Sequence, residues 1–385
     1  MFPPASFLQR RQLIQSLGAC LLAGVSSSSH AGKDDEIVIG QSVPLTGVLA
    51  DTGRDMATGG KICFDSINSQ GGIQGRKIRH VVLDDGYEVE RTLTNTRELL
   101  QKHDALALFG FAGTGNIQRL LNDKVLATAG VALVGPYTGG EPLRTPYNPW
   151  IFHIRASYAE ETSAMVKQLV FSGITSIGVF YQDDAFGQSG LQGVISALAA
   201  ANLDLTVSAS FPKNTELVDS AVQTIAAKSP QAVILVATNR PVAQFLQKYR
   251  NLSKSALFFN ISVVNPSKIV QFAGADDARG LTIAQVVPDP NSNKPIAVSY
   301  RADLARFGQG AQVSSSSFEE YLAARVLVEG LRRAKTLTRA GVIAGLESLE
   351  KFDLGGHVIN FGQNNRLGSH FVEMASLRRD GRLIR

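Results

Sequence analysis

From Glu36 onward, short runs of apolar and β-branched residues alternate with longer stretches whose apolar positions recur every three or four residues. The short runs "EIVIGQSVP", "KIRHVVLDD", "ALALFGF", "VALVGP", "SIGVFYQ", "LTVSASF", "AVILVAT", "ALFFNIS" and "GLTIAQVV" predict strands. Between them, helices are predicted over Met56 to Ser69, Glu90 to Lys102, Ile117 to Ala129, Glu160 to Phe171, Gly190 to Ala201, Ser220 to Lys228 and Val242 to Arg250. Strands that are apolar throughout are buried on both faces, and helices between them make the sheets parallel. Nine such strands exceed one small sheet, so the pattern predicts an α/β protein of two doubly wound, parallel-sheet lobes. Further on, "VSSSSFEEYLAARVLVEGLRRA" predicts a long helix opened by a capping box of Ser317 and Glu320. The closing "VEMASLRRDGRLI" predicts a hairpin turning at Asp380-Gly381.

The first 31 residues follow another pattern: no acidic residue, Arg10 and Arg11 ahead of an apolar run from Leu13 to Val25, then "SSSSHAG". This predicts a signal peptide cleaved after Ala31, with residues 1–31 removed on export. The run is too short for a membrane span. "LGAC", Leu17 to Cys20, offers a competing lipid anchor at Cys20, but little apolar sequence precedes it and ordinary export is favoured. The adjacent arginines leave Sec and twin-arginine export both open.

Composition narrows the functional classes. The chain has 385 residues, 44% of them hydrophobic, enough core for two domains. Its formal charge of +5 falls to +3 without residues 1–31, whose only charges are the two arginines. Basic residues are scattered, so no nucleic-acid partner is expected. Loss of Cys20 leaves Cys63 alone, in a helical "GGKICFDSIN" setting that reads as core.

In parallel sheets the loops after the strands' C-terminal ends face a ligand, because helix N-termini present free amides there. Those loops are "PLTGVLADTGRDM", "LDDGYE", "GFAGTGN", "GPYTGGEP", "YQDDAFGQSG", "ATNRP" and "NISVVNP". They hold Gly, Thr, Asn and aromatic residues, suited to a small polar molecule. The six histidines form no HExxH or i, i+4 pair, so no metal site is expected, and no GxSxG elbow marks a nucleophile. "GFAGTG" has the wrong spacing for a dinucleotide motif, yet its glycines and Thr114 suit a carboxylate at a helix N-terminus. The acidic pairs Asp84-Asp85 and Asp183-Asp184 point to opposite faces of a strand and read as turn or capping residues. Tyr137, Tyr158 and Phe186 sit in polar, glycine-flanked settings and read as walls of a cleft.

The stretch "IVIGQSVPLTGVLADTGRDMATGGKICFDSINSQGGIQGRKIRHVVLDDG" resembles the first lobe of type I periplasmic solute-binding proteins, in the branch of Leu/Ile/Val-binding proteins of ABC importers. "AGTG", "GPYTGG" and "YQDDAFGQSGLQGV" continue the pattern, so the resemblance covers nearly all of the chain after Ala31. It implies two α/β lobes joined by three crossovers, placed near Arg155, Pro288 and Gly356. The first lobe is then 36–154 plus 288–355 and the second 155–287 plus 356–385, with ligand trapped between them by hinge closure. In this light the Asp65 to Gly86 segment is scaffold: a helix ending at Gly71-Gly72 in a left-handed cap, and Gly75 turning into the next strand.

The resemblance also implies ligand-binding positions. Thr114 falls at a hydroxyl position with Ala112 and Gly113 supplying backbone, and Tyr137, Thr138 and Gly139 occupy a second loop, where the matching hydroxyl position aligns with either Thr138 or Gly139. Thr52 and Phe186 match aromatic positions of relatives, Phe186 with its ring retained, while Tyr158 is a ligand-binding candidate on its sequence setting alone. Where amino-acid binders carry an acid against the ligand ammonium, this chain has Ser262, while Asn239 and Arg240 replace aromatic residues. Arg240 is positioned to meet a carboxylate, and Glu160 to replace the missing acid, so an amino acid, an organic acid and an amide all stay open. The implied function is that of a periplasmic, monomeric substrate-binding protein without cofactor or catalytic activity. Its expected partner is an ABC permease in the inner membrane. A ligand-sensing module that signals to a membrane partner is the alternative.

Overall fold

The computed structural model describes residues 36–252 and 255–384; the expected signal peptide and Cys20 lie outside them. The first part runs β1 (Glu36–Val43), α1 (Ala50–Ser69), β2 (Lys77–Asp84), α2 (Val89–Gln101), β3 (Ala107–Phe109), α3 (Thr114–Asn122), α4 (Val125–Ala129), β4 (Leu133–Val134) and β5 (Ile151–Phe152). The second comprises α5 (Tyr158–Phe171), β6 (Ile177–Asp183), α6 (Ala185–Ala200), β7 (Val207–Pro212), α7 (Asp219–Lys228), β8 (Ala232–Val236), α8 (Asn239–Leu252), β9 (Leu257–Asn260), α9 (Pro266–Ala273), α10 (Ala275–Ala278) and β10 (Thr282–Gln285). The last adds α11 (Pro295–Phe307), α12 (Ser315–Arg333), α13 (Arg339–Glu347), β11 (Phe352–Asp353), β12 (Val358–Ile359), β13 (Glu373–Leu377) and β14 (Leu383–Ile384).

Two main sheets result, as the βα period predicts. One has five parallel strands in the order β2-β1-β3-β4-β5. The other has seven, ordered β14-β13-β10-β9-β8-β6-β7, parallel except for the antiparallel hairpin β13-β14 at its edge. That hairpin turns at Gly381, whose amide donates to the Arg378 carbonyl.

Side-chain alternation along each strand assigns the helices to faces. In the five-stranded sheet, Ile37, Ile39, Phe109, Val134 and Phe152 pack with α1, α11, α12 and α13. Their neighbours Val38, Leu108, Leu133 and Ile151 pack under α2, α3 and α4. In the seven-stranded sheet, Phe180, Val233, Leu235 and Ile283 face α7, α8 and α9, while Val179, Ile234 and Val236 face α5 and α6. Cys63 lies fully buried in the first of these cores, and burial pushes its thiol up to about 12, so it packs as a small apolar residue.

Local chemistry explains the boundaries. Helix α1 ends as its glycines predict: the Gly72 amide donates to the Ile67 carbonyl at 3.0 Å. Gly72 has φ +82°, and a Cβ there would lie 2.0 Å from the Arg76 carbonyl oxygen, so no other residue fits. The structure corrects the start of α12: its cap is Ser314, whose hydroxyl accepts from the Ser317 amide at 3.0 Å. Glu320 is consequently inside the helix and fully buried rather than part of a capping box. The helix predicted from Ile117 to Ala129 is two, broken where Lys124 takes φ +53°. Strand β5 and the small β11-β12 pair come in addition to the nine predicted strands.

Candidate functional site

The C-terminal ends of strands from both sheets converge on one small cavity. At the end of β3 the backbone turns through Gly113 at φ +93°, where a Cβ would come within 2.7 Å of both the Tyr87 ring and the Asn116 amide oxygen. Glycine is therefore obligatory there. Helix α3 then starts at Thr114 with no side chain capping its N-terminus and no acid in its first turn, which leaves first-turn amides for a ligand. The Thr114 hydroxyl lies 2.7 Å from that of Thr138, which accepts the Gly140 amide at 3.1 Å.

Six residues singled out in the sequence line the cavity: Ala112, Gly113, Thr114, Tyr137, Tyr158 and Phe186. Leu49, Tyr87, Thr238 and Val263 complete its wall. These four lie in loops predicted to face the ligand, but their plain apolar or hydroxyl character gave no reason to single them out. The rings hold one another: Tyr158 and Phe186 meet edge to face at 5.4 Å, and the Tyr137 hydroxyl lies 3.0 Å from that of Ser316. Gln182 donates to the Tyr87 hydroxyl at 3.3 Å. They pack so closely that about 20 Å³ of water-accessible space remains, room for roughly one water. A solute larger than water does not fit this arrangement of the wall.

Behind Tyr137 and Tyr158 lies a buried charge cluster that sequence reasoning missed. The Arg155 guanidinium, fully buried, stands 3.5 Å from Glu161 and 3.3 Å from Glu319, and donates to the Ser262 hydroxyl. Ser262 in turn gives its amide to Glu161 at 2.7 Å and its hydroxyl at 3.0 Å. Burial acts against the charge on Arg155, but Glu319 and Glu161 outweigh it and hold the guanidinium protonated. Burial likewise pushes both glutamates above the ordinary carboxylate range, with Arg155 opposing. Residues 155, 161, 262 and 319 meet only through the tertiary fold, so no local motif reveals them.

The other predicted residues surround the cavity without lining it. Gly139 accepts the Tyr158 amide at 2.9 Å. Asn239 opens α8 and donates to the Thr52 hydroxyl at 3.2 Å, tying the first turn of α1 to the second sheet. Arg240 stands at the rim, 39% exposed, 3.7 Å from Asp51 and 3.8 Å from Glu216, with its guanidinium over the Phe272 ring. Glu160 closes a capping box with Ser157 and reaches His370 at 2.6 Å, so the carboxylate brought to Ser262 is that of Glu161. The acidic pairs serve turns: Asp84 accepts from Leu45, Thr46 and Gly86, while Asp184 caps α6 through the Phe186 and Gly187 amides.

The family model for periplasmic binding proteins matches residues 36–382. The chain is 24% identical to Leu/Ile/Val-binding protein homolog 7 of Brucella suis biovar 1 (strain 1330), over 97% of this chain and 96% of that one. Among solved structures it is similar to a substrate-binding periplasmic protein from Ralstonia solanacearum, with TM-score 0.87 and 37% identity over 91% of this chain and 99% of that one. It is also similar to a possible leucine/isoleucine/valine-binding protein from Rhodopirellula baltica SH 1, with TM-score 0.86 and 28% identity over 91% and 97%. This is a family of solute-binding proteins rather than enzymes, and the two-lobed α/β fold is its fold. With its cavity between two parallel-sheet lobes, the chain belongs to the periplasmic binding protein family.

Proposed function

We propose that this chain is the exported substrate-binding protein of an ABC importer, which captures a small polar organic solute between its lobes and presents it to a permease in the inner membrane. The observation that carries this reading is the cavity at which loops of both sheets meet, with Thr114 and Tyr137 on one side and Phe186, Thr238 and Val263 on the other. Affinity then depends on closure: hydroxyls and α3 amides orient the polar end and rings cover the remainder. Hinges near Arg155, Pro288 and Gly356 separate a lobe of 36–154 plus 288–355 from one of 155–287 plus 356–385. Residues 1–31 act as the export signal and leave the mature protein in the periplasm.

The test is mass spectrometry of small molecules released on denaturing the purified mature protein, joined to a thermal-shift screen of amino acids, organic acids, amides and sugars. A solute that is released and raises the melting temperature on return is the expected result. Release of nothing, and no shift across the screen, overturns the reading.

A further inference from the structure

We propose that the cavity selects a small monocarboxylic acid with a flat, ring-bearing remainder and no amine. This rests on the solute-capture reading above and names its ligand class. The anionic end is provided for by the paired hydroxyls of Thr114 and Thr138 and the uncapped first turn of α3, without an acid nearby in that turn.

Nothing matches an ammonium. None of the ten residues that line the cavity carries a charge. Of the carboxylates behind it, Glu161 is engaged by Ser262 and Arg155, Glu319 by Arg155, and Asp184 by the amides it caps, while Glu320, whose oxygens have no partner among the described residues, lies behind Gly110 outside the lining and is held toward its neutral form by burial. Asp85 accepts from Ser42, Thr92 and the Tyr87 amide. A buried ammonium would lose its hydration and meet no counter-charge, which disfavours binding.

The rings do not substitute for that counter-charge. Arg155 sits 5.1 Å from the Tyr137 centroid and 6.0 Å from that of Tyr158, and Lys213 sits 4.1 Å from that of Tyr87. Neither cation lines the cavity, so each engages a ring from outside it. A ring whose quadrupole already engages one cation attracts a second less. With Phe186, Leu49 and Val263 the tyrosines give the cavity a ring-rich, largely apolar wall, which suits a hydrocarbon ring once the cavity widens to admit it.

Isothermal titration of the purified mature protein with matched pairs decides the point: 3-phenylpropanoate against L-phenylalanine, and 4-methylpentanoate against L-leucine. Each pair differs in the amine alone. The expected result is that each acid binds at least tenfold more tightly than its amino acid, with 3-phenylpropanoate the tighter of the two acids. An amino acid that binds as well as its deaminated partner overturns the proposal and leaves solute capture standing. A preference for 4-methylpentanoate overturns the ring requirement. No heat from any of the four also overturns the proposal; a hit elsewhere in the wider screen then keeps solute capture, and its absence removes both.

Discussion

The hydroxyl oxygens of Thr114 and Thr138 lie 2.7 Å apart, both buried, and join the loop after β3 to the loop after β4. The bond fixes the Thr114 side chain at the cavity wall beside the α3 amides. Thr114→Ala is expected to weaken binding of the solute recovered from the protein at least tenfold, a loss of about 1.4 kcal/mol. Titration calorimetry reads this, and unchanged affinity removes Thr114 from the site.

Phe186 closes the opposite wall in edge-to-face contact with Tyr158. Phe186→Ala should lower affinity at least tenfold and, as a large-to-small change, destabilise the fold by about 3 kcal/mol. The protein still folds, as far-ultraviolet circular dichroism will report. A variant that loses stability but keeps its affinity shows that the ring only supports the scaffold.

The two lobes were legible in the sequence because their strands are apolar on both faces, as "AVILV" of β8 is, entirely buried. Helix starts were less so: α1 begins at Ala50 and α8 at Asn239, ahead of the apolar periodicity, because their first turns hold the polar residues of the cleft. The four serines before Phe318 fit more than one cap register, and only the burial of Glu320 picks out Ser314. At the site, the loops could be located from strand ends, and half of the residues chosen in them reach the cavity. The Arg155 cluster could not, since Glu319 reaches it from 164 residues away.

Arg155 is the charge that makes burial of Glu161 and Glu319 tolerable. Arg155→Met is expected to cost about 3–5 kcal/mol, because it leaves buried carboxylates without a cation. The triple variant Arg155→Met/Glu161→Gln/Glu319→Gln should recover much of that. Urea denaturation compares the two; equal midpoints would show that lost packing, not charge, sets the penalty.

The half-buried His80 packs its ring edge-on to Phe64 and Phe109 with Nε2 shut off from solvent, and this desolvation, with a smaller push from Lys61, lowers its pKa to about 3. The folded state thus refuses a proton that the unfolded chain accepts near pH 6.5. This stabilisation is complete above 6.5 and is lost as pH falls toward 3, by about 1.4 kcal/mol per pH unit. His80→Leu should therefore flatten the decline in stability between pH 6.5 and 4.5 by roughly 3 kcal/mol, read from urea midpoints across that range. His153 and His357 are shifted in the same direction, so the variant still weakens in acid, less steeply.

Late in the chain, β13 pairs with β10 and β14 with β13 at the edge of the seven-stranded sheet, and α12 and α13 return from beyond residue 314 to cover the five-stranded one. Neither half can be completed while the ribosome still holds the final seventy residues or so. Synthesis from the N-terminus therefore yields no finished lobe along the way, and neither lobe can close until α12, α13 and the β13-β14 hairpin are available, which is compatible with the export proposed above.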